Sequence, residues 1–221
     1  TITALTASNT TFNLGSGTLN VTATSTPQTE AEADGVAVSG GLAIGASLAD
    51  ASVNTTINAS LGASNTVNAG GLNLTAQQLR SGVTDSAKST AWAASGGLLL
   101  GASATTSDAD AIVHVNSRVG DNSTLNLGGG TATVSASVDS KQSAKASGIN
   151  VGFVAAGFND ATATSNNTIY ASLGSGVKVT AGTLNINSGG TDNNFAEAIA
   201  GSGGVLAGSA SQGKTISNSD T

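Results

Sequence analysis

The stretches "VSGGLAIGAS" at 38–47 and "ASGGLLLGAS" at 94–103 decide how the rest of the sequence is interpreted. Related stretches follow as "NVGFVAAG" at 150–157 and "SGGVLAG" at 202–208. Glycine pairs followed by small and aliphatic residues are found in phosphate loops, in membrane hairpins and in structural repeats. The three interpretations predict different folds, so the surrounding sequence must decide between them.

The phosphate-loop and membrane interpretations both fail. The apolar run from Ala91 to Ala104 has 14 residues and is interrupted by Ser and Gly, whereas a membrane-spanning helix needs about 20 predominantly apolar residues. No Lys-Ser or Lys-Thr pair follows the glycines, and no helical pattern begins after them, as a phosphate loop requires. A structural repeat remains.

Three landmarks recur in the same order along the chain. The glycine landmark repeats at intervals of 56, 55 and 52 residues, at Gly41, Gly97, Gly152 and Gly204. A segment of the type "LNVTA" starts at Leu19, Leu72, Thr131 and Leu184. A third landmark is "ASLG" at 59–62, "SRVG" at 117–120 and "ASLG" at 171–174. This order predicts a repeat of about 54 residues, with partial copies at both ends of a single repetitive domain spanning 1–221.

Each copy has the two-residue period of a β-strand. Between Ala49 and Leu61 every odd position, Thr55 included, is small or apolar. The next copies continue the pattern in the same phase, with Ala109, Ala111, Val113 and Val115, and then with Ala161, Ala163, Ile169, Ala171 and Leu173. Because successive side chains of a strand point to opposite faces, we expect these residues to face the core.

The sequence predicts an all-β, elongated β-solenoid with a core of small residues. Only six residues are aromatic, and the chain has 30 Gly, one Pro and neither Met nor Cys. One repeat cannot bury its apolar face alone, but stacked copies about 4.8 Å apart form a continuous core. An arm of about 22 residues exceeds the usual strand length, so we expect bends at Gly82, at the Ser-Gly-Gly corners and near Pro27. Parallel coils and an antiparallel stack of long hairpins both stay open.

Charge and composition exclude several partners. Seven Lys and Arg against 13 Asp and Glu give a net charge of −6 without a basic cluster, so we expect no nucleic-acid binding. The absence of Cys excludes a small disulfide-stapled domain. No hydrophobic signal segment begins at Thr1, so any targeting segment is expected outside this sequence.

Units such as "NTVNAGGLNLTAQ" (65–77) and "SGVKVTAGTLNINSGG" (175–190) resemble the β-helical repeats of filamentous haemagglutinins. The "SGGLLLGASA" and "ASLG" landmarks are similar to the long repeats of leukotoxin-type filamentous adhesins. The resemblance covers essentially the whole chain, although the period here is much longer than in the haemagglutinin coil. It implies a rod or stalk segment of a bacterial surface adhesin that is exported by type V secretion, with the binding tips elsewhere.

The residue types that carry catalysis do not form a recognisable motif. His114 is the only His, and its phase places it on the outer face of a strand. Trp92 is expected to be a packing anchor at a corner. Arg80, Lys88, Lys141 and Lys145 are scattered along the sequence. We therefore expect no enzyme activity, no catalytic residue and no cofactor.

Acidic residues recur near the third landmark. Asp50 and Asp108 lie twelve residues before its glycine, and Asp160 lies fourteen before. All three share the outward phase, where a stack of carboxylates would repel or would bind a hard cation such as Ca²⁺. No calcium-binding loop motif accompanies them, so we interpret them as a solvated acidic face without a metal.

The leading hypothesis is a structural stalk or filament segment at the bacterial surface. Its alternatives are a carbohydrate-active β-helix, of the lyase or hydrolase kind, and an ice- or mineral-binding solenoid. The last rests on the Thr-Ala-Thr pairs that start at Thr22, Thr131 and Thr162, which do not share one phase. Neither terminus carries a polar cap, so we expect a piece of a longer array that associates end to end with copies of itself.

Overall fold

The computed structural model describes residues 1–82 and 84–221, and these residues form an all-β structure. Its strands in chain order are β1 (Ile2–Leu5), β2 (Thr11–Asn13), β3 (Thr18–Ser25), β4 (Thr29–Ser39), β5 (Leu42–Leu61), β6 (Thr66–Asn68), β7 (Gly71–Gln78), β8 (Ala87–Gly97), β9 (Leu100–Val119), β10 (Thr124–Asn126), β11 (Thr131–Val151), β12 (Val154–Leu173), β13 (Lys178–Thr180), β14 (Thr183–Gly203) and β15 (Leu206–Asp220).

The strands form three parallel sheets that together make a β-solenoid. Sheet 1 contains β3 and β4, β7 and β8, β11 and β14, and sheet 2 has the order β1-β5-β9-β12-β15. Sheet 3 is short and has the order β13-β10-β6-β2. The chain passes through sheet 1, sheet 2 and sheet 3 in turn and then starts the next coil beside the previous one. All pairings between coils are parallel, which excludes the antiparallel stack of hairpins.

The register between coils confirms the repeat and corrects one of its starting points. Leu19 pairs with Leu72, and Leu72 pairs with Ala132, which pairs with Leu184. The third coil therefore starts at Ala132 rather than at Thr131. The physical reason is that a shift of one residue exchanges the two faces of a strand: Ala132 is buried, whereas Thr131 is exposed.

The predicted bends are present in part. Sheet 1 is interrupted at residues 26–28, around Pro27, and at residues 79–82 and 84–86, near Gly82, and the chain turns at each glycine corner. In the third and fourth coils the first arm is instead one unbroken strand of 21 residues, and the second arm is an unbroken strand of 20 residues in β5, β9 and β12. Each of these strands is paired along its whole length with at least one neighbour, and β9, β11 and β12 are paired along both edges.

The core lies between sheets 1 and 2 and is widest next to sheet 3. Ile57, Val115 and Ile169 stack directly on one another in sheet 2 and are fully or almost fully buried. Leu72 and Leu74 of sheet 1 and Leu125 of sheet 3 fill the same end. The odd positions predicted from Ala49 to Leu61 do face inward, and Thr55 is partly buried among them.

The core narrows towards the glycine corner that joins sheet 1 to sheet 2. Inward positions there are Gly, Ala, Ser and Asn, and a Cβ atom built on Gly35 would lie 2.6 Å from the Ala46 carbonyl oxygen of the facing strand. A Cβ atom on Gly45 would lie 2.9 Å from the Ala94 oxygen. The two sheets are therefore too close at this end to hold large side chains, and the buried space is filled by short polar groups.

Hydrogen bonds between polar side chains link the coils at this narrow end. The Ser95 hydroxyl lies 2.9 Å from Asn150 Oδ1, and the Thr105 hydroxyl donates to Asn159 Oδ1 at 2.6 Å. Both pairs link one coil to the next. Buried polar groups without such partners would be destabilising, so the pairs explain why Ser and Asn can replace apolar residues here.

The corner between sheets 2 and 3 has the same backbone in every coil. One residue has left-handed φ at the equivalent place each time: Asn9 (57°), Ser64 (55°), Asn122 (56°) and Gly176 (68°). Asn and Gly tolerate this conformation best. The shared corner geometry holds the coil length nearly constant and keeps the ladders in register.

The corner between sheets 3 and 1 requires glycine at a stacked position. Gly70 donates its N–H to the Gly17 carbonyl, and Gly182 donates to that of Gly130. A Cβ atom on Gly130 would overlap the carbonyl oxygen of Gly70 in the preceding coil, whereas one on Gly129 would meet no atom within 4 Å. Two adjacent glycines thus have opposite steric surroundings.

We predict that Gly130→Ala lowers the free energy of unfolding by about 1–3 kcal/mol, because the methyl group forces adjacent coils apart. Gly129→Ala is the matched control and should leave stability unchanged or raise it by up to about 1 kcal/mol through the unfolded chain. Urea titration followed by circular dichroism measures both. Equal stabilities of the two variants would contradict the steric role of Gly130.

Candidate functional site

Four of the seven cationic side chains lie close together on the outer face of sheet 1. Lys88 pairs with Ser143, which is flanked two residues away by Lys141 and Lys145. Arg80 lies in the loop beside them and contacts Asp139 of β11. The expectation that these four residues are scattered is therefore wrong, because the coil length brings positions 53–59 residues apart into contact.

The loop at residues 79–86 borders a groove beside these cations. Only three residues, 139–141, occupy the equivalent place in the third coil, so the second coil has five additional residues there. Both ends of the loop are fixed: Arg80 Nε lies 2.7 Å from Asp139 Oδ1, and Asp85 Oδ1 lies 2.9 Å from Lys141 Nζ. The groove has a volume of about 290 Å³ and is lined by Gln28, Thr29, Glu30, Thr84, Asp85, Lys88 and Lys141.

A second depression, of about 400 Å³, continues the groove along the third coil towards Lys145 and Phe195. Lys145 Nζ lies 5.3 Å from the centre of the Phe195 ring and 3.3 Å from Glu197. Lys88 Nζ lies 2.6 Å from Glu30, and this hydrogen bond, followed by the charge of Glu30, raises the pKa of Lys88. Each of the three lysines of the groove lies beside a carboxylate, Lys88 by Glu30, Lys141 by Asp85 and Lys145 by Glu197.

The groove can bind an anion by exchange of partners. Carboxylate or sulfate groups spaced along a chain would compete with Glu30, Asp85 and Glu197 for the three ammonium groups. The Lys88–Glu30 and Lys145–Glu197 pairs are exposed. Exposed ion pairs contribute about 0–1 kcal/mol each, so an incoming anion loses little by replacing either of these two. The exposed ring of Phe195 supplies an apolar surface beside the last lysine.

The single His and the single Trp take other places. His114 is exposed on the outer face of β9, as its phase predicts, between Thr56 and Thr168 of the adjacent coils. Trp92 is wrongly predicted as a corner residue: it lies within β8, on the outer face of sheet 1, and pairs with Asp34 and Ser147. Its indole is partly exposed because the outward phase of β8 points away from the core.

The acidic residues form a cluster on the outer face of sheet 2. Asp50 and Asp108 are directly paired, but Asp160 pairs with Thr106 and so lies diagonally to Asp108. Burial raises the pKa of Asp108, and the charges of Asp110, Asp50 and Asp160 add to this effect, while a hydrogen bond with Thr162 opposes it. Within 1–82 and 84–221, no group of three or more His, Cys, Asp or Glu is arranged to hold a metal ion.

Asp192 is a half-buried carboxylate that the sequence pattern did not single out. Its oxygens accept hydrogen bonds from Asn167 at 2.7 Å, from Ser217 at 3.0 Å, and from Ser140 and Ser219. Burial works to raise the pKa of Asp192, but the hydrogen bonds from Ser140, Ser217 and neighbouring side chains outweigh it and lower the pKa. The sequence offered one signal for Asp192, which is its place among the even-numbered positions of β14. These positions pair with the even-numbered, inward-facing positions of β11, such as Ser140.

The Thr-Ala-Thr pairs do not share one surface. Thr22 pairs with Thr75, which pairs with Ser135, whereas Thr131 pairs with Gly71. Thr162 belongs to sheet 2. The two pairs on sheet 1 are therefore offset along the strands, and the third lies on another face.

Comparison with protein-family models, with curated proteins and with solved structures finds no match to this chain. In the part of the chain that the structure describes, no helix is long and apolar enough to cross a membrane.

We predict that Asp108→Asn raises the free energy of unfolding at neutral pH by roughly 0.2–1 kcal/mol, because it removes a charge that is partly buried and that is repelled by the charges of Asp110 and Asp50. The pKa of Asp108 is raised in the folded state, so its ionised carboxylate destabilises the wild-type fold at neutral pH. This destabilisation disappears as the pH falls through the raised pKa, where the carboxylate becomes protonated. The gain should therefore shrink in acid. Thermal unfolding between neutral and acidic pH measures it, with Asp34→Asn as a control on the other sheet; a gain that does not depend on pH would contradict the electrostatic cause.

Proposed function

We propose that this chain is a structural stalk or filament segment of an exported bacterial surface adhesin. The observation that carries the proposal is the parallel pairing of all successive coils through two long sheets. Such pairing makes a rod whose length is set by the number of coils, which is the property that a spacer needs. The extracellular position at the bacterial surface and export by type V secretion rest on the resemblance to filamentous adhesin repeats.

The proposal assigns no catalytic step to the chain. Its mechanical role rests on backbone hydrogen bonds between coils and on a core that repeats from coil to coil, as with Ile57, Val115 and Ile169. Each coil adds about 4.8 Å to the rod. Ligand-binding regions would then be carried elsewhere in the protein that contains this segment, and the stalk would hold them away from the cell.

A spacer should tolerate the loss of one whole coil. Deletion of residues 131–182 joins Gly130 to Thr183, whose register partner is Thr131, so β14 can pair with β7 and β8. We expect a folded rod that is shorter by about 4.8 Å, measured by small-angle scattering and circular dichroism. Deletion of residues 131–156 removes half a coil and should prevent folding; loss of the fold in the whole-coil variant as well would contradict a modular spacer.

The groove beside the loop at residues 79–86 favours a second candidate function, which is binding of an acidic polysaccharide. Lys88, Lys141 and Lys145 line it, and Phe195 lies next to them. We predict that a panel of acidic polysaccharides contains a ligand that binds at low salt and weakens as salt rises. Lys88→Gln with Lys141→Gln should reduce the binding several-fold, and Lys178→Gln, on sheet 3, should not.

The same panel tests whether the bound polysaccharide is cleaved, as in the carbohydrate-active alternative. Product analysis after incubation would detect new chain ends. If no polysaccharide binds and none is cleaved, the groove has no role of this kind and the stalk proposal is unaffected.

A further inference from the structure

Large apolar side chains are exposed beside the glycine corner that joins sheets 1 and 2. We define the apolar edge by six of them that lie on sheet 1 or at the corner itself. Each is between 54% and 82% exposed. They are Val36, Val38, Leu98, Ile149, Val151 and Phe153.

The alternation of apolar and polar residues is inverted at this edge. Inward positions carry Gly, Ala, Ser and Asn because the sheets are close together, while Val and Ile occupy the outward positions. At the opposite end of the same face the outward residues are polar, as in Asn20, Thr22 and Thr24. Exposed apolar patches of this kind mark interaction surfaces in soluble proteins.

The outward residues alternate in size from coil to coil. One row across the sheet is Val36, Ala94, Ile149 and Gly201, and the next row is Val38, Gly96, Val151 and Gly203. In these two rows, large residues thus stand in the first and third coils, and small residues stand in the second and fourth. The gap at Gly96, between Val38 and Val151, is part of an apolar groove of about 450 Å³.

This alternation is complementary to itself under a two-fold rotation. An axis parallel to the strands reverses the order of the coils, so the first coil of one copy faces the fourth coil of the other. Val38 then faces Gly203, and Val151 faces Gly96, in both directions. We propose that a second copy of this chain packs against the apolar edge, with the two rods antiparallel and sheet 1 against sheet 1.

Charge supports a copy of the same chain as the occupant. The chain has a net charge of −6, yet residues 35–49, 93–104, 146–159 and 198–213, which form the edge and its surroundings in the four coils, include no Asp, Glu, Lys or Arg. Two copies can therefore meet at this face without placing like charges against each other in the contact. The acidic cluster lies on sheet 2 and stays outside it.

The apolar area buried between the two copies sets the expected strength of the dimer. Burial of a large apolar side chain removes about 60–120 Å² from water. Six side chains at about two-thirds exposure therefore contribute roughly 500–900 Å² over two copies, which is the size of a transient complex. We expect a dissociation constant in the micromolar range or weaker, so the dimer is a species of concentrated or surface-crowded protein.

A variant that fills the gap at Gly96 distinguishes packing of complementary surfaces from unspecific apolar association. No atom lies within 4 Å of a Cβ atom built on Gly96, so Gly96→Val should leave the single rod folded. In the dimer the new side chain would collide with Val151 of the other copy, and we expect the dissociation constant to rise about tenfold or more. The double variant Gly96→Val with Val151→Gly exchanges the large and small positions and should restore association.

Sedimentation equilibrium from about 10 µM to about 1 mM measures these constants, and Thr22→Val is the control that adds apolar surface to the far end of the same face. End-to-end association would not respond to Gly96→Val and would produce species larger than a dimer. A wild-type monomer throughout, unchanged association of Gly96→Val, or no recovery in the double variant would each overturn the proposal.

Cross-linking tests the orientation. The chain has no Cys, and positions 38 and 203 are three coils, about 14 Å, apart within one rod, too far for an internal disulfide. The double variant Val38→Cys with Gly203→Cys should therefore form a covalent dimer on mild oxidation, whereas either single variant should not. Failure of the double variant to cross-link under conditions where the wild type dimerises would exclude the antiparallel arrangement.

Discussion

Each coil is held to the next by two ladders of backbone hydrogen bonds about twenty residues long, and every other feature of the molecule has to be compatible with them. Parallel pairing places each residue beside its equivalent in the neighbouring coil, so a residue suited to the interior once is suited to it again. Ile57, Val115 and Ile169 illustrate this in sheet 2. The same pairing requires corners of constant geometry, which explains the left-handed residue at Asn9, Ser64, Asn122 and Gly176.

The two long sheets converge, and their convergence divides the molecule into two chemical regions. Next to sheet 3 the interior holds Leu, Ile and Val, and the usual alternation of apolar inside and polar outside applies. At the glycine corner the interior admits only glycine, as at Gly45, and short side chains, such as that of Ser95. Apolar residues in that half of the strands lie outside, where a partner rather than the chain's own core can cover them.

Much of the fold could be predicted from the sequence because the same pattern of core residues occurs in each copy of the repeat. The inward phase from Ala49 to Leu61 and the outward phase of His114 follow from a two-residue period alone. The start at Thr131 was one residue off because "TATVSA" lacks the leucine that marks the other copies, and only the backbone register identifies Ala132. Parallel pairing also needed the structure, since a two-residue period is common to both kinds of sheet.

The groove could not be predicted because its residues are distant in sequence and are joined only by the register. Lys88 meets Lys141 and Lys145 since a shift of one coil places it beside Ser143. Adding the coil length to each charged position would have revealed the cluster. The additional residues at 79–86 were visible only as a longer interval between landmarks, and their effect depends on Arg80 and Asp85 pairing with the third coil.

Function in a solenoid is expected where equivalent positions differ, because the ladders already account for the positions that agree. The row Leu19, Leu72, Ala132 and Leu184 follows the inward phase of sheet 1 and varies little, and its two inner members, Leu72 and Ala132, are fully buried and stabilise the rod. An outward row is free of that constraint, so Val36, Ala94, Ile149 and Gly201 can alternate without loss to the core. The chain's own packing gives no reason for such an alternation in size. Packing against a second surface of complementary shape gives such a reason. The outer face beside the glycine corner therefore carries more information about partners than the core, which repeats from coil to coil.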